Sequence, residues 1–219
     1  MDTDIGVARD TLQQRVAERL RQLLTEGSIA PGHKLNERLL CERLGVSRTP
    51  LREAMRLLAA EGLLTLDPGR GATAPSLSPE EVGHTFDLIG ELEGIAGEWA
   101  ARHITDAELA ELRALQFEMQ AAFERRDLPA YYRINARVHE CINAAARNPV
   151  LAATWRQLNA RLHAWRFRSN QDEAKWAQAL AEHAQILAAL QARDGNALRV
   201  LLREHLRRKR DAVLERPAA

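Results

Sequence analysis

The sequence predicts a mainly α protein: an N-terminal winged helix-turn-helix followed by an all-α antiparallel helical bundle. Three observations predict it. Apolar residues recur at helical spacing through most of the 219 residues. Strand signals are confined to one stretch, Leu63 to Ala74, which a Pro/Gly turn divides. After Pro75 the chain is rich in Ala, Leu, Glu and Arg, with helix breaks at regular intervals and no further strand signal.

Each element follows in order. Residues 11–25 read as a helix, with Leu12, Val16, Leu20, Leu23 and Leu24 on one face and Arg15, Glu18, Arg19 and Arg21 on the other. Pro31-Gly32 breaks the chain. Asn36 suits the N-cap of a short helix from about Glu37 to Leu44, and Gly45-Val46 makes a tight turn. Ser47 suits the cap of a third helix that tolerates Pro50 in its first turn and stops at Gly62. Leu63–Leu66 and Ala72–Ala74, around Asp67-Pro68-Gly69-Arg70-Gly71, form a small hairpin. Ser78 with Glu81 then forms a capping box. Breaks near Thr105, Asp127-Leu128-Pro129, Asn148-Pro149, Ser169-Asn170 and Asp194-Gly195 leave about six helices of roughly 16–25 residues in a bundle. The domain boundary is expected near 75–78, giving 1–76 for DNA binding and 77–219 for effector binding and dimerisation.

Composition narrows the function classes. Hydrophobic residues make up 46% of the chain, which excludes general disorder. No apolar run approaches a membrane span. The opening Met1-Asp2-Thr3-Asp4 lacks the basic start of a secretory signal, so a cytoplasmic location is expected. Cys41 and Cys141 form no CxxC pair and read as two reduced, mostly buried thiols. Residues 1–76 carry 11 basic and 10 acidic side chains and the remainder 20 of each, so any DNA-binding surface must come from local placement of charge.

That placement falls on the third helix. Arg48, Arg52 and Arg56 stand four residues apart and share a face, while Leu51, Met55 and Leu58 occupy another. A guanidinium near the start of such a helix can make two hydrogen bonds to guanine O6 and N7 in the major groove. Ser47 and Thr49 sit where hydroxyls and free amides favour phosphate. Arg70, at the hairpin tip, can enter the minor groove or touch the backbone. The unbroken run from Lys34-Leu35-Asn36-Glu37-Arg38 through Gly45-Val46-Ser47-Arg48-Thr49-Pro50-Leu51-Arg52-Glu53-Ala54 to Glu61-Gly62-Leu63 resembles the signature of the GntR family of bacterial regulators. The resemblance implies that Arg38, Arg48 and Arg52 contact DNA and that Ser47 and Thr49 contact phosphate. It implies too that Gly69 is the wing-tip glycine, and that a homodimer binds a near-palindromic double-stranded operator. One recognition helix covers few base pairs, which agrees with a dimer.

The C-terminal half holds a second constellation. Asn135 and His139 are four apart on one predicted helix, and His183 and His205 lie midway along the last two. If those two run antiparallel, three imidazoles and an amide oxygen converge inside the bundle. Imidazole suits Zn, Ni, Cu or Fe, and a site with open positions also takes Mn. Asn135-Ala-Arg-Val-His139 through Asn148-Pro149-Val-Leu151, and Glu182-His183-Ala-Gln-Ile-Leu with His205 one helix later, resemble the helical effector domain of the FadR branch, known as FCD, and the short form closest to the VanR-like subgroup. The resemblance implies a divalent metal (Zn, Ni, Mn or Fe) whose free positions hold a small organic acid. Asn135 stands where the family commonly has Asp, which lowers the expected metal affinity. Ile89 stands where the family often has an arginine, so an effector carboxylate needs another cation, for which Arg161 and Arg168 are the candidates. The four tryptophans read as core and dimer packing, and the basic run Arg203 to Arg210 as a solvated helix end.

The expected function is an effector-controlled DNA-binding repressor, not an enzyme and not a membrane protein. Three competitors are a regulator for which the metal is itself the signal, a metal-dependent hydrolase, and a constitutive DNA-binding protein whose helical domain only dimerises. Against the hydrolase, HExxH is absent, and Glu140 and Glu182 are expected to project away from the histidines.

Overall fold

A computed structural model describes residues 12–67, 69, 71–162, 165–167 and 172–215. The chain divides between Ser76 and Leu77 into two compact units. The described residues hold nine α-helices and a two-stranded antiparallel sheet.

In the N-terminal unit, α1 (Leu12–Thr25) buries Val16, Ala17, Leu20 and Leu24 against α3 (Arg48–Ala60), which contributes Leu51, Ala54, Met55 and Leu58. Between them α2 (Glu37–Leu44) starts at Asn36, whose side chain accepts from the Leu39 amide at 3.1 Å. The chain turns out of α2 at Gly45 with φ of 65°, a left-handed backbone that glycine adopts without a Cβ penalty. Ser47 occupies the N-cap position of α3, but its side chain makes no cap hydrogen bond.

The wing is β1 (Thr65–Asp67) and β2 (Gly71–Thr73), paired Thr65 to Thr73, Leu66 to Ala72 and Asp67 to Gly71. It begins two residues later than the sequence suggests. The Leu63 amide donates to Leu58 O at 2.8 Å and the Gly62 amide to Ala59 O at 3.0 Å, which closes α3 in a Schellman motif and removes Leu63 from the ladder. Leu63 and Leu64 are buried instead. Lys34 bridges to Thr73, so residues 33–35 run along the outer side of β2.

The second unit comprises α4 (Pro79–His103), α5 (Asp106–Glu124), α6 (Leu128–Ala145), α7 (Pro149–Ala160), α8 (Glu173–Gln191) and α9 (Gly195–Leu214). Ser78 and Glu81 form the expected capping box. α4 and α9 pack along each other over most of their length, α5 lies on α6, and α8 lies on both α9 and α5. The core runs from Ala100, Met119, Tyr131 and Ile142 to Leu198 and Leu202, with a second cluster around Phe86, Ile89, Trp155, Leu162 and Leu206. No described helix is long and apolar enough to cross a membrane.

Candidate nucleic-acid groove and buried histidine centre

α3 presents its polar face to solvent because its apolar face is consumed by α1. Arg48, Arg52 and Arg56 are therefore all exposed, and they line one side of a groove of about 640 Å³. Lys34, Gly69 and Gly71 line the other side. The bonding of the arginines differs. Arg52 Nε donates to Glu37 at 3.0 Å, Arg38 pairs with Glu42 at 2.7 Å, and Arg56 pairs with Glu53 at 2.5 Å. Arg48 has no ion-pair partner among the described residues. Ser47 and Thr49 are exposed beside it at the helix start, where unsatisfied amides collect. Arg70 lies outside the described residues. Lys34 was missed from the sequence. Its only signal was its position just before the Asn36 cap, and only the pairing of residues 33–35 with β2 brings it to the groove.

In the second unit, α6, α8 and α9 bring His139, His183 and His205 together, with one ligand-capable atom from each within 4.8 Å of the others. The ring centroids stand 4.9 to 5.4 Å apart. All three are buried. Asn135, one turn before His139 on the same face of α6, is buried as well. Its Oδ1, Nε2 of His139 and His205, and both ring nitrogens of His183 have no hydrogen-bond partner among the described residues. Buried polar atoms are rarely left so, because each forfeits its hydration without return.

Two carboxylates hold the rings. Glu93 Oε2 accepts from His139 Nδ1 at 2.7 Å, and Glu182 Oε2 accepts from His205 Nδ1 at 2.6 Å. Each bond fixes the tautomer, so the lone pair on Nε2 is turned to the centre, which is the arrangement metal-ligating histidines use. Burial by itself would raise the Glu93 carboxyl, but His139, Arg166 and the Trp155 indole outweigh it and bring its pKa down to about 2. Glu182 reaches about 2 in the same way, with burial opposed by His205 and Arg208. Burial drives His205 down to about 4 and His183 well below its ordinary value. These imidazoles are thus neutral at pH 7, the form that ligates. The donor set, three imidazoles and an amide oxygen, fits a borderline divalent ion such as Zn or Ni.

Several expectations change here. Glu182 does not project away from the histidines; it reaches across from α8 to α9 to hold His205. Trp155 is more than packing, since its Nε1 donates to Glu93 Oε1 at 2.8 Å. The basic run is not uniformly solvated: Lys209 is buried, and burial brings its ammonium down to about 7. The cysteines are half-buried and unpaired. Arg161 is exposed at the C-terminal cap of α7, where its charge acts on Glu81, and Arg168 lies outside the described residues. The buried cation that meets the centre is Arg166, 4.0 Å from Glu93 Oε1. Glu93 and Arg166 were missed as site residues because both come from elements distant in sequence from every histidine.

Comparison with known proteins agrees with this geometry. Residues 12–73 match the profile for bacterial regulatory proteins of the gntR family, and residues 84–208 match the FCD domain. The HTH-type transcriptional repressor RspR of Escherichia coli (strain K12) is 28% identical over 202 residues, covering 92% of this chain and 89% of that protein. The HTH-type transcriptional regulator McbR of the same strain is 28% identical over 198 residues, covering 89% of each. The solved structure of E. coli McbR/YncC matches with a TM-score of 0.80 at 28% identity, over 94% of this chain and 97% of that one. These relatives are transcription regulators, which sets the hydrolase reading aside. The chain belongs to the GntR family of bacterial transcription regulators, in the form that carries an FCD domain behind its winged helix-turn-helix.

Proposed function

We propose that this regulator is a cytoplasmic, homodimeric repressor that binds a near-palindromic operator and is released by a small organic acid held at a metal centre. On the DNA side, Arg48, Arg52 and the wing-tip Gly69 enter the grooves, Arg70 accompanies them, and Arg38, Ser47, Thr49 and Lys34 hold phosphates. The exposure of Arg48, which has no ion-pair partner among the described residues, and the shared face of the three α3 arginines support this assignment. On the sensing side, Asn135, His139, His183 and His205 hold the divalent ion, and the ion supplies the positive charge that anchors an acid. The short all-helical second unit is in keeping with the VanR-like subgroup of the FadR branch.

The observation that carries this reading is the set of orphaned, buried ring nitrogens that His139, His183 and His205 bring together from three helices, with the buried, unpartnered Oδ1 of Asn135 one turn before His139. Acid binding would favour one arrangement of the two DNA-binding units, and operator affinity follows that arrangement. A differential of a few kcal/mol suffices. The test measures operator affinity of the purified protein with and without added Zn and an acid mixture, beside Arg48→Ala. We expect the acid to weaken operator binding at least tenfold only when the ion is present. Loss of one bidentate base contact in Arg48→Ala should cost about 1–3 kcal/mol. Equal affinities in every condition overturn effector control. A response to the ion with no acid makes the metal itself the signal.

A further inference from the structure

The arginines of the N-terminal unit differ in how they are held. Arg38 pairs with Glu42 one turn along α2, and Arg56 pairs with Glu53 one turn back along α3. Both pairs lie within one helix and are well exposed, so phosphate displaces the carboxylate at little cost. Arg52 is held across helices instead. Its Nε donates at 3.0 Å to Oε2 of Glu37, fifteen residues earlier and on α2. The Glu37 side chain is only 23% exposed, against 59% for Arg52. Glu37 is the first residue of α2, directly behind the Asn36 cap, where a carboxylate also complements the helix dipole. Neither Nη of Arg52 has a partner among the described residues. With Nε taken, a two-bond contact to guanine O6 and N7 must use Nη1 and Nη2, the open end of the fork.

Glu37 also lines the groove between α3 and the wing, with Lys34, Arg48, Arg52 and Arg56. A carboxylate there repels phosphate, and that penalty falls on every DNA sequence alike. Holding Arg52 helps only where a guanine meets it, because the ordering of a long side chain is then complete before DNA arrives. We propose that Glu37 is a positioning residue for base reading: it presents the open end of the Arg52 guanidinium to a guanine in the major groove while weakening binding to all other DNA. The pair supplies discrimination at the expense of general affinity. This inference rests on reading α3 as the recognition helix.

The test is selection of a randomised DNA duplex library with the purified full chain, followed by fluorescence anisotropy on a selected and an unselected duplex of equal length. We expect the wild-type chain to enrich a guanine that Arg52→Ala no longer enriches, by about tenfold or more over other bases. Glu37→Ala and Glu37→Met, which lack the acceptor, should lose the preference at that same position and keep it elsewhere in the site. Both should bind unselected duplex about threefold more tightly than wild type. Glu37→Gln keeps an acceptor oxygen and should retain part of the preference. Asp67→Asn removes a charge from the same groove and should tighten unselected binding with the guanine preference intact. The proposal is overturned if Glu37→Ala and Glu37→Met enrich that guanine as strongly as wild type, or bind unselected duplex no more tightly. It is overturned equally if they lose preference at every position, which makes Glu37 a structural residue of α2, or if Asp67→Asn loses the same guanine, which makes charge alone the cause. A wild-type chain that enriches no sequence, or whose guanines all survive Arg52→Ala, overturns the reading of Arg52 beneath it as well.

Discussion

Glu93 is the residue on which the buried histidine cluster turns. One oxygen fixes the His139 ring and the other accepts from Trp155, with Arg166 alongside. Replacing it with Gln keeps the shape but removes the charge, so the Nδ1–H of His139 loses a strong acceptor and its tautomer is no longer enforced. Glu93→Gln should lower Zn affinity by about 10–100-fold, measured by competition with a chromophoric chelator. An unchanged affinity would mean that Glu93 neutralises Arg166 and nothing more. The same logic explains why Glu182, beside His183 in sequence, does not serve His183. In α8 adjacent residues point about 100° apart, so the carboxylate that flanks one ligand is aimed at the next helix, where His205 stands.

The helices are joined by a recurring device. Arg126, Arg147 and Arg193 each adopt a left-handed φ of 54° to 58° just beyond a helix, and each is followed by Asp or Asn that caps the next one. At Arg126 the Asp127 amide donates back to Ala122 O while its side chain accepts from the Ala130 amide, both at 2.9 Å. One residue thus closes one helix and opens the next, which forces tight antiparallel joins. The α4–α9 pair is close for another reason. Gly83, Gly90, Gly94 and Gly97 of α4 face α9, and a Cβ on Gly94 would stand 3.2 Å from Arg199 O. A methyl on Gly97 would run into Leu202, which is fully buried. Gly97→Val should therefore cost about 1–3 kcal/mol through overpacking. That corresponds to a fall of about 2–12 °C in Tm of the helical unit, read by circular dichroism. Because the seam positions Glu93 one turn away, Zn affinity should fall with it. An unaltered Tm would show that the seam opens without cost.

For the whole molecule, the buried imidazoles make the fold sensitive to acid. His205 and His183 titrate lower in the native protein than in the unfolded chain, where the ordinary value is 6.5. As pH falls through 6.5 the unfolded chain takes up these protons and the native state resists them. The histidine contribution is therefore complete above 6.5 and is lost progressively toward 4. Glu93 and Glu182 sit near 2 against an ordinary 4.5, so their contribution persists until pH falls below 4.5. Tm of the metal-free protein should drop by about 5 °C or more between pH 7.5 and 5. A divalent ion at a hundredfold excess over its Kd should raise Tm by about 5–10 °C at pH 7.5, and by less at pH 5, where protons compete for the ligands. A Tm independent of pH over that range would show that the imidazoles are protonated as readily inside as outside.

By itself the sequence determined the elements and their order. Helix starts were written in short-range chemistry, as Asn36, Ser78, Thr105, Asp127, Asn148 and Asp194 all occupy the caps at which the breaks were read. The α3 arginine face was legible too, since helical periodicity fixes which residues share a face, and the His139, His183 and His205 set was legible through the resemblance to the FCD domain. Where Leu63 and Leu64 would go was not legible, because a backbone hydrogen bond to α3 competes with strand pairing and local propensity does not decide between them. The partners of the histidines were decided by tertiary structure alone. Glu93, Trp155 and Arg166 meet the centre through packing that brings α4, α7 and the segment before α8 to α6, and proximity across helices leaves no periodic trace in any one of them.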